Sequence, residues 1–437
     1  MNTGTFERGT HPPDNKEFTS GRAICDAKIP KRVIIPLSQH IGAPCEATVS
    51  IGDSVKKGQV VGMANAFVSA PVHATVSGKV VAIAPFPHTM GRDVLSVVIE
   101  NNGKEEWVDN ISEHQNYLSL DAETLKKLVK DAGIVGMGGA TFPTHVKLSP
   151  PKEKNIDCVI LNGAECEPYL TADHRVMLEQ TEAVVEGLKI LMKIVGVNKG
   201  YIGIEDNKPD AISAMNAAVG NDGSIQVYSL KVKYPQGAEK MLIKAVVNRE
   251  VPAGGLPMDV GVVVQNIGTA VAIYDAVRYG RPLLQRVVSV TGRGINEPKN
   301  LMVRIGTPLS QLVEECGGFK YDSGKVIAGG PMMGMAQSTL DAPVIKGTSG
   351  LLVLTPEESE VSTHGPCIRC GRCIDACPMG LQPAMLSLLV EHGFYEDTKE
   401  YDLMNCFECG TCAYICPSKR PIVQWIKLAK MNLAQKK

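Results

Sequence analysis

Two periodicities of apolar residues divide the chain into segments. Between residues 31 and 105, apolar and polar residues alternate in short runs that glycine and proline interrupt, which predicts β-strands. Within residues 120–282, helical periodicity predicts helices over residues 122–132, 176–195, 209–219, 238–247 and 269–278. Short apolar runs predict strands over residues 158–162, 200–204, 225–230 and 262–266. This alternation of strands and helices indicates an α/β layer with a mostly parallel sheet.

Three further segments flank these two. Residues 1–30 are polar and contain proline, which predicts an extended arm. Residues 283–352 combine short strands, frequent glycines and one helix at 309–316, a combination typical of a small β-grasp module of the soluble-ligand-binding (SLBB) kind. Residues 361–437 are rich in cysteine and follow an acidic linker.

Residues 31–105 contain two similar halves, 49–62 and 70–83. Each half has alternating apolar residues around a glycine turn, the pattern of a hairpin. The segment resembles the barrel-sandwich hybrid fold of lipoyl and biotinyl domains. Such carrier domains need a modified lysine at a hairpin tip, and no lysine lies between Lys57 and Lys79. We therefore expect a structural β module within a multidomain protein that combines an α/β domain, β modules and a cysteine-rich tail.

The composition narrows the possible functions. Hydrophobic residues make up 44% of the 437 residues and charged residues 21%, as in ordinary globular proteins. The formal net charge of −1 creates no basic field, so we expect no nucleic-acid partner. No apolar stretch is long enough to cross a bilayer, and the first residues lack the apolar region of a signal peptide. Because we expect a cytosolic chain, its 13 cysteines indicate metal or redox chemistry rather than disulfides.

Eight of these cysteines form two copies of one motif, Cys-x2-Cys-x2-Cys-x3-Cys-Pro. The first copy begins at Cys367 and the second at Cys406. This is the bacterial run for two [4Fe–4S] clusters, in which the fourth cysteine of each copy ligates the other cluster. The first predicted cluster is therefore bound by Cys367, Cys370, Cys373 and Cys416. The second is bound by Cys406, Cys409, Cys412 and Cys377.

Zinc is the alternative to clusters, but four-cysteine zinc sites use Cys-x-x-Cys pairs rather than two complete runs of this kind. The long segment between the two motifs contains a predicted helix at 382–392. The tail is therefore predicted to be an α-helical ferredoxin domain with two clusters.

A glycine-rich loop follows the first predicted helix of residues 120–282. Glycine lets backbone N–H groups approach a phosphate or a flat ring. Taken alone, a helix-capping turn explains such a loop at least as well. The candidate ligand-binding residues of this loop are Gly136, Gly138, Gly139, Ala140, Thr141 and Phe142.

Polar residues also follow two of the predicted strands. Asn162, Glu165 and Glu167 come at or after the end of the strand over 158–162, and Gln265 and Asn266 end the strand over 262–266. The carboxyl ends of parallel strands are where α/β domains bind ligands. A fourth loop, residues 234–240, also places polar groups before a helix. Four such loops in one domain are hard to explain as helix caps alone.

In this order, the four loops resemble those of the FMN- and NADH-binding domain of the 51-kDa subunit of respiratory complex I. That family carries GRGGAGFP, NADESEP, YxxGEE and NNVET elements. The resemblance implies that the glycine-rich loop wraps the flavin, with further FMN contacts from Asn162, Gln265 and Asn266. It also implies that Lys147 contacts a phosphate. Glu165 and Glu167 would be the carboxylates of the catalytic site that face the nicotinamide nucleotide.

Three positions depart from the pattern of that family. Met137 replaces the arginine of the glycine-rich loop, Thr141 replaces a glycine, and Ala164 replaces an aspartate. Fewer charges would surround the flavin, so the flavin potential and NADH affinity of the family do not transfer to this chain. Phe142 is either an aromatic wall of the site or a core residue.

The order of modules resembles the C subunits of membrane-bound Rnf complexes, as does the His11-Pro-Pro-Asp14-Asn-Lys16 stretch of the arm. This resemblance implies FMN, two [4Fe–4S] clusters and NAD(H) as substrate. It implies a peripheral subunit on the cytoplasmic side of the membrane, bound to integral membrane and other subunits. The complex would couple electron transfer between reduced ferredoxin and NAD+ to Na+ or H+ translocation. A soluble flavo-iron–sulfur reductase and a non-catalytic cluster scaffold are the alternatives.

Overall fold

A computed structural model describes residues 3–109, 111–322, 324–360 and 363–435. The first two and last two residues of the predicted tail, 361–437, therefore lie outside the described residues. The arm is extended, as expected, and runs over the other parts of the molecule. It contains one short strand, β1 (Ile24–Asp26).

The β module that follows the arm consists of two facing antiparallel sheets with the orders β2-β8-β7-β4 and β3-β5-β6. Its strands are β2 (Arg32–Pro36), β3 (Glu46–Ala47), β4 (Ser54–Val55), β5 (Val60–Met63), β6 (Val72–His73), β7 (Gly78–His88) and β8 (Arg92–Asn101). Val33, Val61, Val80 and Val97 are among the buried residues between the sheets.

The two similar halves of this module do not form hairpins, so that expectation was wrong. β4 pairs with β7, and β5 pairs with β6. Each half therefore contributes one strand to each sheet, and the halves interlock. Three of these four strands, β4, β5 and β6, have only two to four residues and cannot bury an apolar face by themselves, whereas the interlocked arrangement closes one shared core.

The α/β domain has a four-stranded parallel sheet with the order β11-β10-β9-β12. Its elements are α1 (Ala122–Asp131), α2 (Thr144–Lys147), β9 (Cys158–Gly163), α3 (Ala172–Glu179), α4 (Thr181–Val195), β10 (Gly200–Glu205), α5 (Pro209–Val219), β11 (Ile225–Leu230), α6 (Glu239–Val247), β12 (Val262–Asn266) and α7 (Ile267–Tyr279). The single helix predicted over 176–195 is two helices. Gln180 leaves the helical region between them, with φ −128° and ψ 34°, while the apolar periodicity continues on both sides.

Alternate residues of the sheet enter two different cores. Val159 and Leu161 pack with α1, α4, α5 and α7, whereas Cys158 and Ile160 pack with α6. Because helices cover both faces, the strands are apolar throughout, as in other parallel sheets. The carboxyl edge of the sheet is left for polar residues.

The β-grasp module forms a six-stranded mixed sheet that includes the arm, because β1 pairs in parallel with β14. Its own elements are β13 (Gln285–Thr291), β14 (Lys299–Arg304), α8 (Leu309–Glu315), β15 (Lys325–Ala328), β16 (Met335–Ala336) and β17 (Gly350–Leu354). The cysteine-rich tail is helical, as predicted, with α9 (Arg372–Ala376), α10 (Pro383–Glu391), α11 (Thr411–Tyr414) and α12 (Ile422–Gln435). None of the helices within the described ranges is long and apolar enough to cross a membrane.

Candidate functional site

The polar carboxyl edge of the parallel sheet is centred on two asparagines. Asn162 is the next-to-last residue of β9, Asn266 is the last residue of β12, and the two are register partners. The chain order changes direction here, since β10 and β11 lie on one side of β9 and β12 lies on the other. Such a switch point is the usual ligand crevice of an open α/β sheet.

The glycine-rich loop lies against this edge. A Cβ atom added to Gly138 would stand 3.0 Å from Cβ of Asn266, so the loop backbone approaches the asparagine as closely as a glycine allows. The N–H of Met137 donates to Oγ1 of Thr269 at 2.9 Å, and its carbonyl oxygen accepts from Arg286 at 3.2 Å. Gly138, Gly139 and Ala140 are exposed. The backbone at the tip of the loop is therefore anchored at its base and open to a ligand.

The other residues predicted in this loop have defined places. The N–H of Gly136 donates to the carbonyl oxygen of Phe142 at 2.9 Å, which closes the loop, and Phe142 is half-buried. Thr141 has φ 51°. Lys147 forms an ion pair with Glu239, the first residue of α6, instead of projecting into open space.

Both asparagines already make hydrogen bonds within the protein. Nδ2 of Asn162 donates to the carbonyl oxygen of Gly237 at 2.7 Å. Nδ2 of Asn266 donates to Asp173 at 2.6 Å, and its Oδ1 accepts from the N–H of Thr269 at 3.3 Å. Burial, together with the nearby charge of Glu165, raises the pKa of Asp173 to about 7. No sequence pattern distinguishes Asp173 from an ordinary acid in the first turn of a helix.

Glu165 and Glu167 lie on opposite sides of one loop and have different partners. The carboxylate of Glu165 accepts from the N–H groups of Asp173 at 2.7 Å and His174 at 3.2 Å, and therefore caps α3. The carboxylate of Glu167 accepts from the N–H groups of Met332 and Met333 in the β-grasp module, at 3.1 and 2.8 Å. Burial raises the pKa of Glu167 to about 7. In the structure, Glu165 acts as a cap of α3.

Two buried glutamines near this edge have side-chain polar atoms without hydrogen-bond partners, one at the end of β12 and one in the loop over residues 234–240. Nε2 of Gln265 has no hydrogen-bond partner, nor does either side-chain polar atom of Gln236, although both residues are buried. A buried polar atom left without a partner costs roughly 1–3 kcal/mol. Together with the glycine cradle at Gly138, these atoms fit a polar ligand such as FMN. The sequence pattern marks the loop of Gln236 but does not distinguish this residue from its neighbours.

The cysteines of the tail stand in two groups. Cys367, Cys370, Cys373 and Cys416 line one cavity, together with the ends of α10 and α12. Burial, aided by the nearby thiols of Cys409 and Cys377, raises the pKa of Cys406 to about 11. Among the described residues, no three His, Cys, Asp or Glu side chains are gathered as one metal ion would require. A four-iron cubane is larger than one ion, and its thiolates stand further apart.

The second cysteine group abuts the α/β and β-grasp domains. The hydroxyl of Tyr234 donates to the carbonyl oxygen of Cys409 at 2.6 Å, and both residues are buried. A Cβ atom added to Gly410 would stand 2.7 Å from the carbonyl oxygen of Met332, whose N–H donates to Glu167. The first group lies further out, with Cys370 exposed.

Known proteins resemble the chain over nearly its whole length. It is 53% identical over 427 residues to the C subunit of the proton-translocating ferredoxin:NAD(+) oxidoreductase complex of Clostridium ljungdahlii, covering 98% of this chain and 93% of that one. The Na(+)-translocating counterpart of Acetobacterium woodii is 51% identical, covering 98% and 97%. The C subunit of the ion-translocating oxidoreductase complex of Rhodobacter capsulatus is 42% identical, covering 98% and 83%. The chain belongs to the RnfC family.

Family models match the individual modules of this RnfC-family chain. The RnfC barrel sandwich hybrid domain matches residues 4–104, the Nuo51 FMN-binding domain residues 129–275, the SLBB domain residues 287–336 and the 4Fe-4S dicluster domain residues 366–419. The predicted fold classes and cofactors, FMN and two [4Fe–4S] clusters, are thereby confirmed. A solved NAD+-reducing [NiFe]-hydrogenase in the H2-reduced state aligns with 17% identity and a TM-score of 0.49, covering 76% of this chain and 67% of that one.

Proposed function

We propose that this chain transfers electrons between NAD(H) and the remaining subunits of an Rnf-type complex, on the cytoplasmic side of the membrane. In that complex, electron transfer between reduced ferredoxin and NAD+ is coupled to Na+ or H+ translocation. The names of the relatives support this role, since each is the C subunit of such a complex. Integral membrane subunits would anchor the chain.

FMN supplies the step between the two-electron chemistry of NAD(H) and the one-electron chemistry of clusters. We assign its cradle to the open tip of the glycine-rich loop, where Gly138 approaches Asn266. Nε2 of Gln265 and both side-chain polar atoms of Gln236, all without partners, provide buried hydrogen-bonding groups. The further residues assigned to this site are Gly136, Gly139, Ala140, Thr141, Phe142, Lys147 and Asn162.

We assign the NAD(H) side of the site to the loop that carries Glu165 and Glu167. The two carboxylates fix the loop between α3 and the β-grasp module. A carboxylate at this edge can accept a hydrogen bond from a ribose hydroxyl and repels a phosphate in the same place. Their part in binding is therefore orientation and nucleotide choice, and proton transfer is not required of them.

The order of the clusters gives the chain a direction for electron flow. We assign Cys377, Cys406, Cys409 and Cys412 to the cluster nearer the flavin, because Tyr234 connects Cys409 to the flavin domain. The outer cluster, held by Cys367, Cys370, Cys373 and Cys416, lies beneath a surface where Ile368 is 64% exposed and Arg369 and Arg372 are exposed. The outer cluster is where another redox subunit would receive or deliver electrons.

The hydrogen bond from Tyr234 to Cys409 is the observation on which this proposal depends. Two cysteine variants test the proposal. Cys416→Ser should damage the outer cluster and leave reduction of the inner cluster by NADH intact. Cys377→Ser should damage the inner cluster and thereby prevent NADH from reducing the outer one. EPR after anaerobic mixing with NADH distinguishes the two, and Cys25→Ser, an exposed cysteine outside the motifs, is the control. Equal effects of both variants on both clusters would contradict the proposed order.

A further inference from the structure

The arm inserts one charged side chain beneath the loop of residues 164–170 in the α/β domain, called the acidic loop because it carries Glu165 and Glu167. Lys16 is buried, and its Nζ donates three hydrogen bonds to backbone carbonyl oxygens, those of Glu165 at 2.9 Å, Glu167 at 3.0 Å and Leu170 at 2.6 Å. An ammonium group has three donors, so all of them are used. The Lys16 group thus occupies a cage of carbonyl oxygens much as a small cation would.

A second lysine completes the cage. Nζ of Lys208, also buried, donates to the carbonyl oxygen of Ala164 at 2.7 Å and lies 3.5 Å from Glu205. Four carbonyl groups of the loop formed by residues 164–170 therefore turn toward two ammonium groups. Buried charges of this kind persist only when they are paired or well hydrogen-bonded. Burial lowers the pKa of Lys16, while the charges of Glu165 and Glu205 oppose that shift.

The two carboxylates of the loop have their hydrogen-bond partners outside the cage. With its backbone fixed from below, the loop directs Glu165 to the N–H groups of α3 and Glu167 to those of Met332 and Met333. Glu165 takes φ 46° in this arrangement, a strained value for a residue other than glycine. The contacts of Lys16 with the two glutamate carbonyls offset that strain.

The rest of the arm fixes the position of Lys16. The carbonyl oxygen of Asp14 accepts from the N–H of Tyr169 at 2.7 Å, and the backbones of Thr10 and Tyr234 exchange two hydrogen bonds of 2.8 Å. Further upstream, the N–H of Gly9 donates to Ala376, next to a cysteine of the tail. The stretch from His11 to Lys16 is therefore the part of the arm that reaches the acidic loop.

We propose that Lys16 is a positioning residue of the nucleotide site, whose ammonium group fixes the backbone of residues 164–170 and thereby places Glu165 and Glu167. The effect on NADH rests on the function proposed above, whereas the effect on the loop does not. The glycine-rich loop has its own supports, since Arg286 donates to the carbonyl of Met137 and Lys346 to that of Gly133. Loss of Lys16 should therefore weaken NADH binding and spare FMN binding.

Lys16→Met tests this inference, because methionine keeps most of the volume and removes all three donors. Hydrogen exchange in the complete protein, loaded with FMN and clusters, should become about tenfold faster or more at the amides of Asp173, His174, Met332 and Met333, which report directly on the two carboxylates. The KM for NADH should rise about tenfold, with the rate at saturating NADH and the affinity for FMN unchanged. Lys28→Met, an exposed lysine of the same arm, should change none of these values.

Unchanged exchange at all four amides in Lys16→Met would overturn the positioning role. Faster exchange with an unchanged KM for NADH would leave the positioning role in place and refute the assignment of this loop to NAD(H). If Lys16→Met does not retain FMN and iron, Lys16→Arg provides the second test. Arginine keeps the charge, but its planar fork cannot match three converging carbonyl groups, so faster exchange is again expected. Wild-type exchange in the arginine variant would refute the cage.

Discussion

The hydroxyl group of Tyr234 donates a 2.6 Å hydrogen bond to the carbonyl oxygen of Cys409. This single contact joins a loop at the proposed flavin site to the loop that binds the inner cluster. Burial raises the pKa of Tyr234, so its hydroxyl stays protonated and remains a donor at any physiological pH. Tyr234 is also paired through its backbone to the arm at Thr10, so three segments of the chain meet at this residue.

Tyr234→Phe should slow electron transfer without removing the cofactors. Phenylalanine keeps the ring but leaves the carbonyl of Cys409 unpaired in a buried interface, at a cost of roughly 1–3 kcal/mol to docking of the cluster loop. We expect FMN and iron contents to be retained and cluster reduction after mixing with NADH to become several-fold slower in stopped-flow experiments. Tyr321→Phe, an exposed tyrosine, is the control. A wild-type rate of cluster reduction would show that this contact does not set the docking.

Gly138→Val should abolish FMN binding. Any Cβ at this position meets Asn266 at 3.0 Å, and the branched side chain of valine would push both the asparagine and the loop from their places. The flavin content of the purified protein gives the measurement. Gly223→Val is the matched control, because an added Cβ there has no heavy atom within 4 Å. Full retention of FMN by Gly138→Val would mean that the flavin is bound elsewhere.

The sequence predicts elements well where their period is regular and their ends are marked. The helix Pro209–Val219 and the strands Ile225–Leu230 and Val262–Asn266 have the predicted bounds. The break at Gln180 was missed because the apolar period continues through it. The hairpins of the β module were wrong because strand pairing depends on which core the strands close together, and a short alternating run fits either partner.

The sequence placed the candidate residues of the site together where they lie in one loop or at neighbouring strand ends, and it missed the residues that distant segments contribute. The glycine-rich loop and both asparagines could be located, because strand ends of a parallel sheet converge on one edge. Lys16 lies 151 residues from Glu167 along the chain, and Met333 lies 166 residues from it. Only tertiary packing brings these residues together. The pattern of residues within a short segment of sequence does not predict such contacts.

Asp173 should make stability fall as the pH rises from about 4 to 7. Its pKa is about 7 in the folded protein against an ordinary value of 3.8, so the folded state retains a proton that the unfolded state has lost within this window. Asparagine cannot ionise, so Asp173→Asn should lack this decrease in stability, which is of the order of 1–3 kcal/mol between about pH 4 and pH 7.

The measurement for Asp173 is the thermal midpoint of anaerobic protein at several pH values, compared between wild type and variant. Glu167 and Asp275, whose pKa values burial raises to about 7 and about 6, shift stability in the same direction, so only the difference between the two proteins is informative. Asp222→Asn is the control, because hydrogen bonds from Ser224 lower the pKa of Asp222 and its contribution falls below this window. Parallel curves for wild type and Asp173→Asn would contradict the prediction.

Glu165→Gln should relax the choice between NADH and NADPH. The two nucleotides differ only by a phosphate on the adenosine ribose, which a carboxylate at this edge repels. In the structure, that carboxylate lies on the N-terminus of α3, the end of a helix that attracts anions when no carboxylate caps it. Neutral glutamine removes the repulsion and leaves the helix end available, so the ratio of NADPH to NADH oxidation should rise about tenfold, which corresponds to about 1.4 kcal/mol.

The competing explanation is that Glu165 serves only as the cap of α3. Glutamine would then lower stability by about 1 kcal/mol, through a weaker hydrogen bond and a lost charge–dipole interaction, and leave the ratio unchanged. Oxidation of both nucleotides with an artificial acceptor, together with the thermal midpoint, separates the two cases. Glu182→Gln, in the first turn of α4, controls for removal of an acid from a helix start. If the ratio stays constant while FMN remains bound, Glu165 does not select the nucleotide, and Glu167 is the next residue to replace.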